Sequence, residues 1–306
     1  MQIAYALPVK PEGNLPLVLS IGSFDGVHLG HRTLLNYATQ VAHQQHMQIA
    51  VITFSNHPSS VVRPDKSTAF LCTIEHKIQL LKQANIDQLF LLPFTKELAE
   101  LSAEQFLSQL QHSLAFKALI VGDDTHIGKN RHGNKNTVLE IAKKLDFSVE
   151  YFPDVTLDGE RISSSRIREY LQRGDLKQAE KYLGRPYSIY SQVIKGYNRG
   201  AEFGFPTANI GVNGLCLPPL GVYAVSIKHH GHAYLGVANL GTAPTVKTDS
   251  VPMLEVHLFN FNDDLYGQYV DVRFHAYIRP EVKFSSIDEL KAQISSDIST
   301  AHKLLA

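Results

Sequence analysis

The sequence has few of the features that would suit it to a disulfide scaffold, a membrane or a polyanion. Only two cysteines, Cys72 and Cys216, occur in 306 residues. They lie far apart and form no metal-ligand spacing, and so sparse a thiol content suits a reducing compartment. Lys plus Arg and Asp plus Glu number 29 each, so the formal net charge is zero, and no basic block exceeds a pair. That removes the electrostatic footprint of a dedicated nucleic-acid binder. A small anionic ligand stays open, because it needs only a local positive site. The stretch MQIAYALPVKPEGNLP has no basic segment leading into a long apolar one, so it does not read as a signal peptide. The longest apolar runs, such as LFLLPF, are too short to span a bilayer. No repeat or low-complexity segment is visible. The expectation is a soluble cytoplasmic chain with neither nucleic acid nor membrane as partner, long enough to bury one large core or two ordinary ones.

What is present changes texture along the chain. The first half alternates. LPLVLSIG reads as a buried strand and HRTLLNYATQVAHQQ as a helix with Leu34, Ala38 and Val41 at helical spacing. QIAVITF is a second strand, and TIEHKIQLLKQAN a helix on which Ile74, Ile78 and Leu81 repeat at four and three. DQLFLLPF, one helix from KELAELSAEQFLSQLQ, KALIVG, a helix near NTVLEIAKKL, and FSVEYFP continue the series. Five strands alternating with helices predict a parallel sheet covered on both faces, with ligands beyond the carboxyl ends of the strands. From about residue 184 the segments SIYSQVIKGY, GVYAVSIKHH, HAYLGVANLG, PMLEVHLFNF and GQYVDVRFHAYIR are short, β-branched and aromatic, and turn residues separate them. They predict an all-β barrel or sandwich, followed by one serine-capped amphipathic helix in SSIDELKAQISSDISTAHKLL. Two helices, SRIREYLQRGD and LKQAEKYLG, bridge the halves, which puts the boundary near Gly184 and the domains at 1–183 and 184–306.

SIGSFDGVHLGH, residues 20–31, sits at the end of the first of those strands. A metal site at His28 and His31 would need a third ligand, which no spacing nominates. Gly22, Gly26 and Gly30 let the backbone approach a ligand closely. The helix starting near Leu29 aims its N–H groups and positive dipole end at the turn, and two imidazoles beside that end could follow charge onto a leaving pyrophosphate. The pattern in GVHLGH resembles the signature of the adenylyl- and cytidylyltransferase superfamily. ISSSRIR, residues 162–168, resembles that superfamily's second motif. There a serine-rich helix start and an arginine contact the nucleotide phosphates, which implies ATP binding by Gly22, Phe24, Asp25, Gly26, His28, His31, Ser164 and Arg168. Ser163, Ser164 and Ser165 would also cap a helix with no ligand at all, whereas Arg168 supplies the fork that phosphate favours. TFSNHP and VGDDTHIGKNRHGN resemble stretches of the FMN adenylyltransferase domain of bacterial bifunctional riboflavin kinase/FAD synthetases. The resemblance implies flavin contacts from Asn56, His57, Pro58 and Asp124. Taken alone, the second of these segments is equally an Asp-rich turn after a strand. It departs from the family at Thr125, His126 and Ile127, where Phe-Arg-Phe is more common.

GAEFGFPTANI, residues 200–210, is the most specific string in the chain. Gly204 and Pro206 could simply set a turn into a strand. Thr207 and Asn209, two apart in an extended segment, point their oxygens the same way, as suits a magnesium ion that takes its other ligands from water and ATP phosphates. The string resembles the hallmark of riboflavin kinases, which implies ATP binding at Gly204, Pro206, Thr207 and Asn209, with Mg²⁺ on Thr207 and Asn209. In PMLEVHLFNF, Leu254, Val256 and Leu258 should face one side and Glu255 and His257 the other. An exposed strand face would account for an isolated Glu. The family comparison makes Glu255 the general base for the ribityl 5′-hydroxyl, in a reaction that asks mainly for positioning. Ala201 and Ala243 stand where that family commonly has arginines, a loss of about 1–3 kcal/mol of nucleotide binding for each charged hydrogen bond removed.

Together the resemblances cover nearly the whole chain. They imply a Rossmann-like nucleotidyltransferase domain and a riboflavin-kinase-like barrel closed by a terminal helix. Riboflavin, FMN and ATP would be substrates, FMN and FAD products, and His28, His31 and Glu255 catalytic. The alternatives are a chain that keeps one of the two activities, and a flavin-binding carrier or regulator with little turnover.

Overall fold

The computed structural model describes residues 1–11, 15–195, 203–242 and 252–306, so Ala201 and Ala243 lie outside the described residues. Two compact units emerge, Met1–Thr68 with Lys77–Ser163, and Ala69–His76 with Ser164–Ala306.

The first unit is built on β1 (Gln2–Ala4), β2 (Leu17–Ile21), α1 (Leu29–Gln44), β3 (Gln48–Phe54), α2 (Pro58–Val62) and α3 (Ile74–Lys82, shared with the second unit). It continues through β4 (Gln88–Leu92), α4 (Lys96–Glu100), α5 (Ala103–Leu114), β5 (Ala118–Gly122), α6 (Lys135–Leu145) and β6 (Ser148–Phe152), then a small hairpin of β7 (Thr156–Leu157) and β8 (Glu160–Arg161). Six strands form one sheet in the order β1-β4-β3-β2-β5-β6, every pair parallel. The strand beyond the expected five is β1, a three-residue edge too short to carry a period. Burial on both faces explains the uninterrupted apolar runs. Leu17, Leu19 and Ile21 pack on one face with Phe106, Leu107 and Leu110 of α5. Val18, Ile49 and Val51 pack on the other with Leu34, Leu35 and Ala38 of α1.

The single helix expected over 96–111 is two. Ser102 takes an extended conformation and caps α5, accepting from the Gln105 N–H at 3.1 Å, while the Gln105 side chain accepts from the Ser102 N–H at 2.9 Å. This reciprocal box satisfies two helix-end donors, so the chain restarts there. From β2 the sheet grows toward β3 and β4, and β5 then joins β2 on its other side. The carboxyl ends of β2 and β5 therefore flank the point where strand order reverses, the usual seat of a ligand in such sheets.

The second unit holds α7 (Ser164–Gln172), α8 (Leu176–Leu183) and six antiparallel strands: β9 (Ser188–Ile194), β10 (Ala208–Gly211), β11 (Gly221–His229), β12 (His232–Thr242), β13 (Pro252–Leu258) and β14 (Tyr269–Arg279). They close into a barrel in the order β10-β13-β12-β11-β14-β9, which leaves the sheet no open edge. Helix α9 (Ile287–Leu305) packs Ile298, Ala301 and Leu305 against Val222, Ala224 and Val237. Ser286 caps it by accepting from the Glu289 N–H, as expected of a serine there. Arg279 fastens it to β14 with a two-pronged bond to the buried Asp297, at 2.8 and 2.7 Å, and Gln293 donates to the same carboxylate at 2.9 Å.

Candidate active sites

The turn after β2 is held in a shape few residues accept. Phe24, Gly26 and Val27 have φ of 44°, 74° and 38°. Such values are costly for a β-branched residue, and strain of this kind gathers where a turn has work to do. Val27 is fully buried, and Phe24 and Asp25 each retain 1% exposure, so these side chains build the turn from within. Its two histidines belong together. His28 is the N-cap of α1, and its Nδ1 accepts from the His31 N–H at 3.3 Å. Because that nitrogen accepts, the ring's N–H is on Nε2. The two imidazoles stack 3.6 Å apart at 15°, and Phe24 meets His31 edge-on at 5.2 Å. Gly30 is what lets the His28 ring lie over the first helical turn, since a Cβ there would sit 3.3 Å from it. A Cβ on Gly22 would stand 3.1 Å from the Phe24 ring. The Nδ1 of His31 is shut off from solvent with no hydrogen-bond partner. Burial first, then His28 and Lys77, hold its pKa well below the ordinary histidine value, so the ring is neutral near pH 7.

Lys77 escaped sequence reasoning. It is 1% exposed, and its ammonium donates to the carbonyls of Ser23 at 2.9 Å and Phe54 at 3.1 Å, just beyond β2 and at the end of β3. The signal was present: Lys77 falls at the i+3 place of the stripe Ile74, Ile78, Leu81, where an apolar residue belongs.

Asn56, His57 and Pro58 follow β3. The Asn56 amide donates to the Phe94 carbonyl at 2.9 Å and accepts from the Phe94 N–H at 2.8 Å, so both its ends join this loop to the one after β4. His57 caps α2, accepting from the Ser59 N–H at 3.1 Å, and Pro58 occupies the first helical position. Asp124, in the loop after β5, pairs with Arg161 of β8, which also reaches Asp154 at 3.0 Å. Of the three residues that depart from the family there, Ile127 is buried in the core and pairs with Gly133. Gly128 and Gly133 are required, since a Cβ on either would come within 2.4 Å of backbone.

Ser164 and Arg168 lie on α7 in the second unit. The Arg168 Nε donates to the Ala69 carbonyl at 2.7 Å. In the barrel, Gly204 has φ of 89° and nothing near where its Cβ would be, so its glycine serves conformation. The string from Phe205 is anchored by His257, whose Nδ1–H donates to the Pro206 carbonyl at 2.9 Å and whose ring meets Phe205 edge-on at 5.6 Å. Leu254, Val256 and Leu258 are buried while Glu255 is exposed, as the alternation predicts. Register puts Asn209 opposite Glu255, and Glu255 opposite Asn239, so three side chains form one row across β10, β13 and β12. Asn239, unremarked in the sequence, donates to Glu281 at 3.2 Å. Pro206 and Thr207 line a cavity of about 290 Å³ beside Asp263, Asp264 and Tyr266. Among the described residues no three His, Cys, Asp or Glu gather as a metal centre.

Residues 10–166 match the FAD synthetase family and residues 183–305 the riboflavin kinase family. A bifunctional riboflavin kinase/FMN adenylyltransferase of Haemophilus influenzae is 41% identical over 285 residues, covering 92% of each chain. Proteins of that description from Bacillus subtilis and Escherichia coli K12 are 39% and 37% identical, over 92% and 94% of this chain and 90% and 92% of their own. A crystal structure described as a macrolide-efflux protein from Streptococcus pneumoniae superposes with a TM-score of 0.82, at 29% identity and 99% coverage of both chains. Among the described residues of this chain, no helix is long and apolar enough to cross a membrane. With both domain families side by side and relatives alike over nine-tenths of its length, the chain belongs to the bifunctional riboflavin kinase/FMN adenylyltransferases.

Proposed function

We propose that the Gly22–His31 turn grips the ATP that gives up its adenylyl group, and that the row on β10 and β13 carries the phosphorylation of riboflavin. The chain converts riboflavin to FMN with one ATP and FMN to FAD with another, releasing pyrophosphate in the second step. What carries the assignment of the first site is the stacked histidine pair at the start of a long helix, on the strand where sheet order reverses.

In adenylyl transfer a phosphate oxygen of FMN attacks the α-phosphorus of ATP, and the bond from that phosphorus to the bridging oxygen breaks. Negative charge collects on the departing pyrophosphate. Donors already aimed at that charge lower the barrier without reorganising. The N-terminal N–H groups of α1, the Nε2–H of His28 and the neutral His31 supply them. On the flavin side stand Asn56, His57, Pro58 and Asp124, with Asn56 acting through the loop it ties to Phe94.

In the kinase step Glu255 takes the proton of the ribityl 5′-hydroxyl as its oxygen attacks the γ-phosphorus and ADP leaves. Thr207 and Asn209 would hold Mg²⁺. Oxygen donors suit that ion: Thr207 lines a cavity together with Asp263 and Asp264, and so few protein oxygens leave positions for water and phosphate. When bound, the ion screens phosphate charge. The partners in this reading are riboflavin, FMN and ATP, without nucleic acid or membrane, and the two buried thiols suit the cytoplasm.

We place the adenylyltransferase in 1–183 and the kinase in 184–306, with α7 and α8 spanning the junction of the two family matches. Incubation with riboflavin and Mg·ATP, followed by separation of riboflavin, FMN and FAD, tests the whole scheme. Fragments starting at Ser164 and at Gly184 should both make FMN and neither should make FAD. FAD from either fragment would overturn the division.

A further inference from the structure

Burying a lysine is costly unless its charge is compensated by well-placed acceptors, so a fully enclosed one marks a position where the ammonium is needed. Lys77 is such a residue. The Ser23 carbonyl it holds also accepts from Thr53 Oγ1 at 2.9 Å, which fills both lone pairs. Among the described residues no peptide bond is cis, and in a trans peptide the carbonyl and the next N–H point opposite ways. Anchoring the Ser23 oxygen thus turns the Phe24 N–H the other way and fixes the peptide plane that enters the left-handed turn at Phe24, whose ring abuts His31. The second carbonyl, on Phe54, ties the end of the neighbouring strand to the same ammonium.

We infer that Lys77 is a positioning residue for adenylyl transfer, fixing the Ser23–Phe24 peptide that leads into the His28–His31 turn. The inference rests on this turn being the adenylyl-transfer site. It deepens that assignment by supplying the element that shapes the turn from α3. The titratable groups facing His31 are His28 from its own turn and Lys77 from α3, with Asp25 as the carboxylate buried within the turn. Lys77 reinforces burial and His28 in keeping the His31 ring unprotonated.

The test uses the full chain with Lys77→Gln and Lys77→Met. Both remove the charge, and Gln keeps an N–H donor. Expected are a fall of about tenfold or more in kcat for FMN adenylylation, unchanged riboflavin phosphorylation, and a His31 ring-proton titration, followed by NMR, that moves to higher pH. Native adenylylation overturns the inference, and so does a slowed enzyme whose His31 titration stays put. Where a neutral variant loses both activities, Lys77→Arg takes its place. Because it keeps the charge, it must keep the native His31 titration, and a shifted one overturns the inference. His31→Ala separates the two levels: if it adenylylates FMN normally the site assignment fails, and if it is inactive while the neutral Lys77 variants work, only the role of Lys77 fails.

Discussion

The first site is contiguous in sequence, Gly22 to His31, and is held by left-handed backbone, ring stacking and a buried lysine. The proposed kinase site is assembled across strands, with Asn209, Glu255 and Asn239 brought into one row by register alone, and with Glu255 left open to solvent. In the proposed assignment both serve transfer from ATP. The first depends on a conformation that most substitutions would disturb, whereas the second depends on pairings that every backbone bond of the barrel maintains. Damage to the first site should therefore spread through its turn, and damage to the second should stay with the side chain removed.

The largest effect should come from Glu255→Gln, which keeps size and hydrogen bonding but cannot take a proton. Steady-state kinetics should show riboflavin phosphorylation slowed about 10²- to 10⁴-fold, with FAD formation from supplied FMN unaffected. Near-native phosphorylation would return Glu255 to an ordinary exposed strand residue. His28→Ala or His31→Ala should cut kcat for FMN adenylylation by about 10²-fold and spare riboflavin phosphorylation. If both reactions fell in a folded variant, the comparison between two separate sites would break. Thr207→Ala should raise the Mg²⁺ concentration needed for phosphorylation, seen in a metal titration at fixed ATP, and leave adenylylation alone.

Acidity distinguishes the units further. Burial, opposed by Asp271 and assisted by Arg185 and Arg273, lowers the pKa of His76 to about 4. The unfolded chain binds that proton first, so stability falls as pH drops below the unfolded value near 6.5, and the loss levels off near pH 4. His76 alone accounts for at most about 3 kcal/mol of this loss. Urea midpoints between pH 7 and 4 should show a shallower decline in His76→Asn, and equal slopes would remove His76 as a cause. The smallest effect belongs to Ser102→Ala, which should cost about 1 kcal/mol in thermal unfolding through loss of the α5 cap, with both activities retained.

The sequence carried the layout wherever its signal was local. QIAVITF matched β3 residue for residue, the α1 start fell at Leu29, and alternation around Glu255 sorted the faces of β13 correctly. β1 was missed because an edge of three residues shows no period. The break between α4 and α5 was legible as Ser-x-x-Gln, but the apolar spacing ran through it. Long-range pairing was the harder limit. Nothing in the motif TFSNHP announces that the Asn56 amide is taken up by Phe94, and nothing near Asn239 announces its register with Glu255. Lys77 lay between these cases, visible as a charge in an apolar stripe but not as a partner of Ser23.

One feature of the chain path bears on how the protein is made. Residues 69–76 belong to the second unit: Phe70 pairs with Leu215, its N–H donates to the Gly214 carbonyl, and its own carbonyl accepts from Cys216. On the ribosome these eight residues are synthesised in the middle of the first unit, yet they find those partners only after Cys216 has been added. A nascent chain halted before Leu215 would lack the partners of Phe70, while Ala69 and Thr73 could already meet Arg168 and Tyr190.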